Sequence, residues 1–291
     1  MAAFLRNSNR EVFKAIGILI AVLAMLAASN TLAQEVVSTS LCSDAYVLEM
    51  VEPERIKALS WQAGGPLSLA PKPLQSFAGA WVETETLLAL APAQLVFDAG
   101  ANVKAGKLAI ERGSEAFQLL PASNFAQIDQ NRRHLARFLG KPGQAEIIID
   151  KQNQRIADLA SRNHNKSQRL KVLYLTPTLG TAGSDTLVDS AIAVAGGINL
   201  ATEYGISGWG QIPLEQLVSN PPDLIVSSFF SAQAHSVLQF RSNHSILRNL
   251  RKQVPVIHLS GALWVCAGPH LITAAELIAN ELQQLQGRRP R

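Results

Sequence analysis

The chain is poor in cysteine and in charge. Among its 291 residues there are two cysteines, and Asp, Glu, Lys and Arg together make up 16%. Cys42 and Cys266 lie too far apart for a zinc ribbon, a C-x-x-C redox centre or the disulfide framework of a small domain, and they allow one bridge at most. The formal net charge of +4 comes from a scarcity of acids rather than a basic run, which excludes the stripe of a DNA or RNA binder. The one long apolar run, Ala15 to Ala28, has 14 residues, short of the about 20 that cross a bilayer. What the chain does have is 47% hydrophobic residues, enough to bury one large or two modest cores.

Familiar catalytic patterns are also missing. Gly205-Ile206-Ser207-Gly208-Trp209 lacks the final glycine of a G-x-S-x-G elbow. The histidines His134, His164, His235, His244, His258 and His270 fall in separate segments and show neither H-x-x-x-H nor H-E-x-x-H spacing. His258 is expected to end a buried strand, and His270 to lie in the first turn of the last helix after Gly268-Pro269, where a helix amino terminus can face a ligand. Neither G-x-G-x-x-G nor G-x-x-x-x-G-K-[ST] occurs, so Gly180-Thr181-Ala182-Gly183 reads as a tight turn before a helix capped by Ser184 or Asp185. No catalytic residue, resident metal or cofactor is assigned.

The amino terminus suggests an address. Arg6, Arg10 and Lys14 precede the apolar run, and small residues lead to Thr31-Leu32-Ala33, the order of a secretory signal. Residues 1–33 are therefore expected to be a signal peptide cleaved after Ala33. Thr39-Ser40-Leu41-Cys42 lacks the small residues that precede a lipidated cysteine, so the expectation is a soluble exported protein, periplasmic in a Gram-negative cell.

Beyond Glu35, β-branched runs alternate with helical stretches. Val36 to Ser40, Ile56 to Ser60 and Leu95 to Phe97 read as strands, with helices from Ser43 to Val51 and Glu83 to Leu90. A second series has strands at Leu170 to Thr176, Leu224 to Ser228 and Val256 to His258, and helices at Thr186 to Ala195 and Pro269 to Leu285. Between them, after Gly140-Lys141-Pro142-Gly143, the stretch to about Arg162 holds no glycine or proline and spaces Ile147, Ile148, Ile156 and Leu159 helically. The fold class is α/β: two lobes, each with a mainly parallel sheet flanked by helices, joined by one long helix. The expected boundaries are 35–140 for the first lobe, 142–165 for the bridging helix and 166–288 for the second lobe.

The four tryptophans, Trp61, Trp81, Trp209 and Trp264, all read as loop residues near strand ends or glycines. In open α/β sheets, loops beyond the strand carboxyl ends line the ligand crevice. Two lobes offering such loops would form an aromatic-lined cleft that stacks on flat or apolar ligands. The plainer reading of any single ring is that it plugs its own loop.

Several segments carry a resemblance in order: Val36-Val37-Ser38 with Asp44, Glu85-Thr86-Leu87-Leu88-Ala89-Leu90-Ala91-Pro92, Ala182-Gly183, Ala195-Gly196-Gly197-Ile198-Asn199, and Trp209 to Glu215 followed by Asn220 to Val226. Over about Val36 to Leu285 the chain resembles the periplasmic substrate-binding proteins of ABC importers for ferric siderophores and cobalamin, in which a single long helix joins two lobes. The resemblance implies a monomer that captures an iron-siderophore or a cobalamin-like corrinoid between its lobes, so that the cargo itself carries any iron or cobalt. It also implies delivery to an inner-membrane ABC permease, with Glu85 and Glu215 as the two acids, one per lobe, that meet permease arginines. Trp209 matches a ring that touches cobalamin in the corrinoid binders. Cys42 and Cys266 each lie just beyond a strand in an oxidising compartment, so a bridge tying the lobes is expected. Two rivals remain: a periplasmic binder of a bare transition metal or haem, and a periplasmic enzyme acting on an aromatic or glycosidic substrate.

Overall fold

The computed structural model describes residues 34–77, 84–91, 93–98, 103–162, 169–176, 179–229, 250 and 252–288. The expected signal segment lies outside them. The chain divides into a short unit, Met1–Glu35, and a body, Val36–Arg291, that carries every described helix and strand. No described helix is long and apolar enough to cross a membrane.

The first lobe runs β1 (Val36–Ser38), α1 (Leu41–Met50), β2 (Ile56–Ala58), α2 (Thr84–Leu90), β3 (Gln94–Phe97), α3 (Val103–Glu111), β4 (Glu115–Gln118) and α4 (Phe125–Phe138). Its four strands pair in the order β2-β1-β3-β4, all parallel. Strand β1 is central and wholly buried, which is why three apolar or small residues suffice there. The sequence reading missed β4, whose Glu-Ala-Phe-Gln pattern is exposed at both ends because it is an edge strand. Helix α1 starts at Ser40, whose side chain and that of Ser43 cap each other's backbone N–H groups.

Helix α5 (Pro142–Arg162) leads to the second lobe: β5 (Lys171–Leu175), β6 (Gly180–Ala182), α6 (Leu187–Val194), β7 (Ile198–Asn199), α7 (Leu200–Glu203), β8 (Trp209–Gln211), α8 (Leu214–Ser219), β9 (Leu224–Phe229), β10 (Val256–Ser260) and α9 (Leu271–Arg288). The main sheet is parallel in the order β10-β9-β5-β7, and β6 pairs antiparallel with β8 in a separate ribbon. Three expectations are corrected here. Gly180 to Ala182 is a strand rather than a turn, because it finds Trp209–Gln211 as a partner. The following helix is capped by Thr186, whose Oγ1 accepts from the Asp189 N–H at 3.2 Å, and not by Ser184 or Asp185. His258 is exposed in mid-strand instead of buried at a strand end, since β10 forms the sheet edge.

One apolar core runs through both lobes, from Val36 and Leu135 past Ile149 and Leu159 of α5 to Leu170, Ile192 and Ile278. Helix α5 is anchored to the first lobe by a buried polar cluster. Arg132 donates to both oxygens of Glu49 at 2.9 Å, to Asp129 at 2.8 Å and to Gln152 of α5 at 2.7 Å. Burial raises the Glu49 pKa, against the pull of Arg132. Such a cluster registers the helix only while every member is paired. One turn further along α5, Arg155 meets Glu276 of α9 at 2.6 Å.

The lobes are also tied across the front. Cys42, in α1, is bonded to Cys266, with 5.2 Å between Cα atoms and 224 residues of sequence separation. Nearby, the Tyr46 hydroxyl donates to the Ala267 carbonyl at 2.8 Å. A cross-link that closes so long a loop removes up to about 5 kcal/mol of denatured-state entropy in the chain-entropy account. The double variant Cys42→Ser/Cys266→Ser is therefore expected to unfold at a clearly lower urea concentration than the oxidised protein. Equal midpoints would contradict a constraining role for the bridge.

Candidate functional site

Parallel strands deliver their following loops to one end, the carboxyl end, and that is where the sequence motifs gather. Cys42 follows β1 and Cys266 follows β10, so their bond joins the carboxyl ends of the two main sheets. Trp61 follows β2, next to β1, and Trp209 lies on the ribbon whose other strand follows β5. Both rings are open to solvent, at 59% and 56% exposure. For side chains of such apolar area this exposure is unusual, and there is one such ring on each lobe.

The support beneath Trp61 is built from the opening motif. Asp44, on α1, is 1% exposed, and its two oxygens accept from the Ser60 backbone N–H at 2.9 Å and the Ser60 hydroxyl at 2.5 Å. Ser60 in turn caps the short 3-10 turn, Trp61–Gly64, on which the tryptophan stands. Burial pushes the Asp44 pKa up, while the hydrogen bonds from Ser38 and Ser60 hold it down. Trp61 is thus on a fixed turn rather than a free loop.

Trp209 is a strand residue, a second correction to the loop reading. The ribbon can close because Gly183 has no side chain: a Cβ there would lie 1.9 Å from the Ile206 carbonyl oxygen. Through this approach the Gly183 N–H donates to the Gly208 carbonyl and the Gly208 N–H to the Ser184 carbonyl, both at 2.8 Å. Asn199 holds the base of the ribbon by donating to the Ala182 carbonyl at 3.0 Å and to Asp189 at 2.9 Å. Gly197 lets that segment pass β5, since a Cβ would meet the Val172 methyl at 2.8 Å. The two glycine-containing segments singled out in the sequence are accordingly packing devices for the ribbon.

Trp264 is not an open wall of the cleft. It follows the 3-10 turn Gly261–Leu263 and is 2% exposed. Its ring meets Tyr174 of β5 edge-on, with centroids 5.6 Å apart, and the same tyrosine meets Trp209 edge-on at 5.8 Å. The structure thus brings Trp209 and Trp264 together through Tyr174, a residue the sequence reading passed over as an ordinary strand position. Trp81 lies outside the described residues.

A pocket of about 190 Å³ opens beside the disulfide, lined by Cys42, Tyr46, Asp98, Leu119 and Asn131 of the first lobe and Ala267 of the second. It is smaller than the few hundred Å³ typical of sites for drug-sized ligands, so it does not itself house a large macrocycle. Of the histidines, His134 is half-buried in α4, and His270 is half-buried just before α9, where burial lowers its pKa. His164, His235 and His244 lie outside the described residues. Among the described residues no three His, Cys, Asp or Glu side chains are grouped to hold a metal ion. Glu85 and Glu215 are both exposed in the first turns of α2 and α8. Acids are favoured at those ends by the helix dipole whatever else they do.

Known proteins share this architecture. The chain is 23% identical over 248 residues, 83% of its length and 85% of the relative's, to a vitamin B12-binding protein of Pectobacterium atrosepticum. The periplasmic heme-binding protein of Vibrio cholerae superposes with a TM-score of 0.70 at 18% identity, covering 86% of this chain and 99% of that one. The periplasmic vitamin B12-binding protein of the same organism gives 0.60 at 18% identity, covering 88% and 99%. Residues 52–249, well over half of the sequence, match the model of the periplasmic binding protein family, and the chain belongs to that family.

Proposed function

We propose that this protein is exported after cleavage at Ala33, captures a tetrapyrrole-type macrocycle, a corrinoid, between its lobes, and as a monomer presents it to an inner-membrane ABC permease. The observation that carries the reading is the pair of exposed tryptophans, Trp61 and Trp209, one on each lobe, at the sheet ends joined by Cys42–Cys266. A flat, largely apolar ring with polar arms suits two indole faces better than a compact hydrophilic solute would.

The chemistry of the tyrosines favours a corrinoid over haem. Haem iron takes an axial ligand such as imidazole or phenolate from its protein, whereas a corrinoid brings its cobalt already ligated. Two of the three tyrosine hydroxyls are otherwise engaged, and the third is buried. Tyr46 donates to Ala267, Tyr204 donates to the Asn220 carbonyl at 2.6 Å, and Tyr174 is fully buried. Burial also works against phenolate formation, raising Tyr46 and pushing Tyr174 and Tyr204 up to about 12. The sequence relative is named for vitamin B12, while the similar solved structures are named for heme and for B12.

Titration of the mature protein with cyanocobalamin, cobinamide, haemin and a panel of ferric siderophores, read by tryptophan fluorescence, is expected to give saturable quenching with the corrinoids. Trp209→Ala and Trp61→Ala should each weaken the complex about tenfold. Quenching by a siderophore alone, or by no compound, would overturn the reading. Docking is tested separately. Glu85→Lys and Glu215→Lys should leave corrinoid affinity unchanged while reducing ligand uptake by cells, because exposed acids steer and orient a charged partner. Wild-type uptake by the double variant would remove the glutamates from the permease interface.

A further inference from the structure

Among the described residues four buried side-chain polar atoms have no hydrogen-bond partner, all in the second lobe: Gln216 Oε1 on α8, and the Tyr174 hydroxyl, the Ser228 hydroxyl and the Trp264 indole N–H, the last three associated with the main sheet. Tyr174, Ser228 and Trp264 are 0%, 1% and 2% exposed. They come from three adjacent strands or their ends, in the order β10-β9-β5, and they belong to one place. Tyr174 pairs in register with Val226, and Ser228 lies two residues further along β9, so its side chain is on the same face toward the carboxyl end. Burial raises the Tyr174 phenol, and the nearby Ser228 hydroxyl lowers it, which places the two hydroxyls side by side. Trp264 packs against the same tyrosine ring.

Buried polar groups in native proteins are nearly always paired, and each unpaired one opposes folding. Three such groups gathered at one place on the sheet are a candidate site for a guest. Their chemistry says which guest. The indole N–H can only donate, and both hydroxyls have a proton free to donate, so the cluster fits an oxygen acceptor such as an amide carbonyl or a carboxylate. The roof over it is Trp209, whose ring lies edge-on to Tyr174 between Gly208 and Gly210 and is more than half exposed.

We propose that Tyr174, Ser228 and Trp264 form a polar subsite beneath Trp209 that receives an oxygen-bearing arm of the macrocycle stacked on that ring. The subsite rests on the macrocycle reading above. When Trp209 turns from Tyr174 toward the ligand, the arm enters and the three donors gain their acceptor.

The test uses Tyr174→Phe and Ser228→Ala, which keep the packing and remove only the oxygen. Each is measured for apo melting temperature and for affinity to cyanocobalamin and haemin. Removing an unpaired buried hydroxyl is expected to raise the apo melting temperature by about 2–4 °C and to weaken binding about tenfold. A variant that melts higher yet binds as wild type would overturn the subsite and leave the hydroxyl merely unpaired. A variant that melts lower and binds as wild type would overturn it in favour of an ordered internal water. Failure of the wild-type protein to bind either probe would instead overturn the macrocycle reading, and the subsite with it.

Discussion

The bond between α1 and the segment after β10 sets the geometry on which the rest depends. A parallel sheet collects its variable loops at the carboxyl end, but two such sheets in one chain form a site only if those ends are held toward each other. Here Cys42–Cys266 and the Tyr46–Ala267 hydrogen bond hold the carboxyl ends of β1 and β10 together, while the middle of α5 registers the lobes, Gln152 joining the Arg132 cluster of the first and Arg155 pairing with Glu276 of the second. An interlobe region constrained by a helix, a covalent bond and a shared apolar core favours small adjustments on ligand capture over wide hinge motion.

Within that frame, the residues that resemble family motifs do mechanical work for the two tryptophans. Asp44 spends its buried carboxylate on Ser60 and so fixes the turn of Trp61. Gly183 and Asn199 fix the ribbon of Trp209. A buried carboxylate and a glycine with a carbonyl in its Cβ position are costly features for a fold, and each lies beneath one of the two exposed tryptophans.

The strands and the bridging helix were legible because burial on both faces forces β-branched and aliphatic runs, as in Lys171–Leu175, and because a stretch free of glycine and proline with helical apolar spacing has few other outcomes. Strand β4 was not legible, since its Glu115 and Gln118 face solvent at a sheet edge and its pattern is that of a loop. Nor was the β6–β8 ribbon: its three-residue strands pair across 27 or more residues, and nothing local in Gly180-Thr181-Ala182 announces that partner. Position in a loop located the tryptophans at the right end of the sheets but could not tell which way each ring turns. Trp61 and Trp209 point out, while Trp264 turns in against Tyr174. The Cys42–Cys266 pairing was available as a possibility only, because the 5.2 Å approach of their Cα atoms is a product of the whole fold.

The central claim is that a macrocycle lies between one indole of each lobe. Its most direct test is a crystal structure of the mature protein grown with cyanocobalamin. The account predicts corrin density between Trp61 and Trp209, with an amide arm directed toward Tyr174. A corrinoid bound elsewhere on the protein, or a cleft that stays empty at saturating ligand, would contradict it.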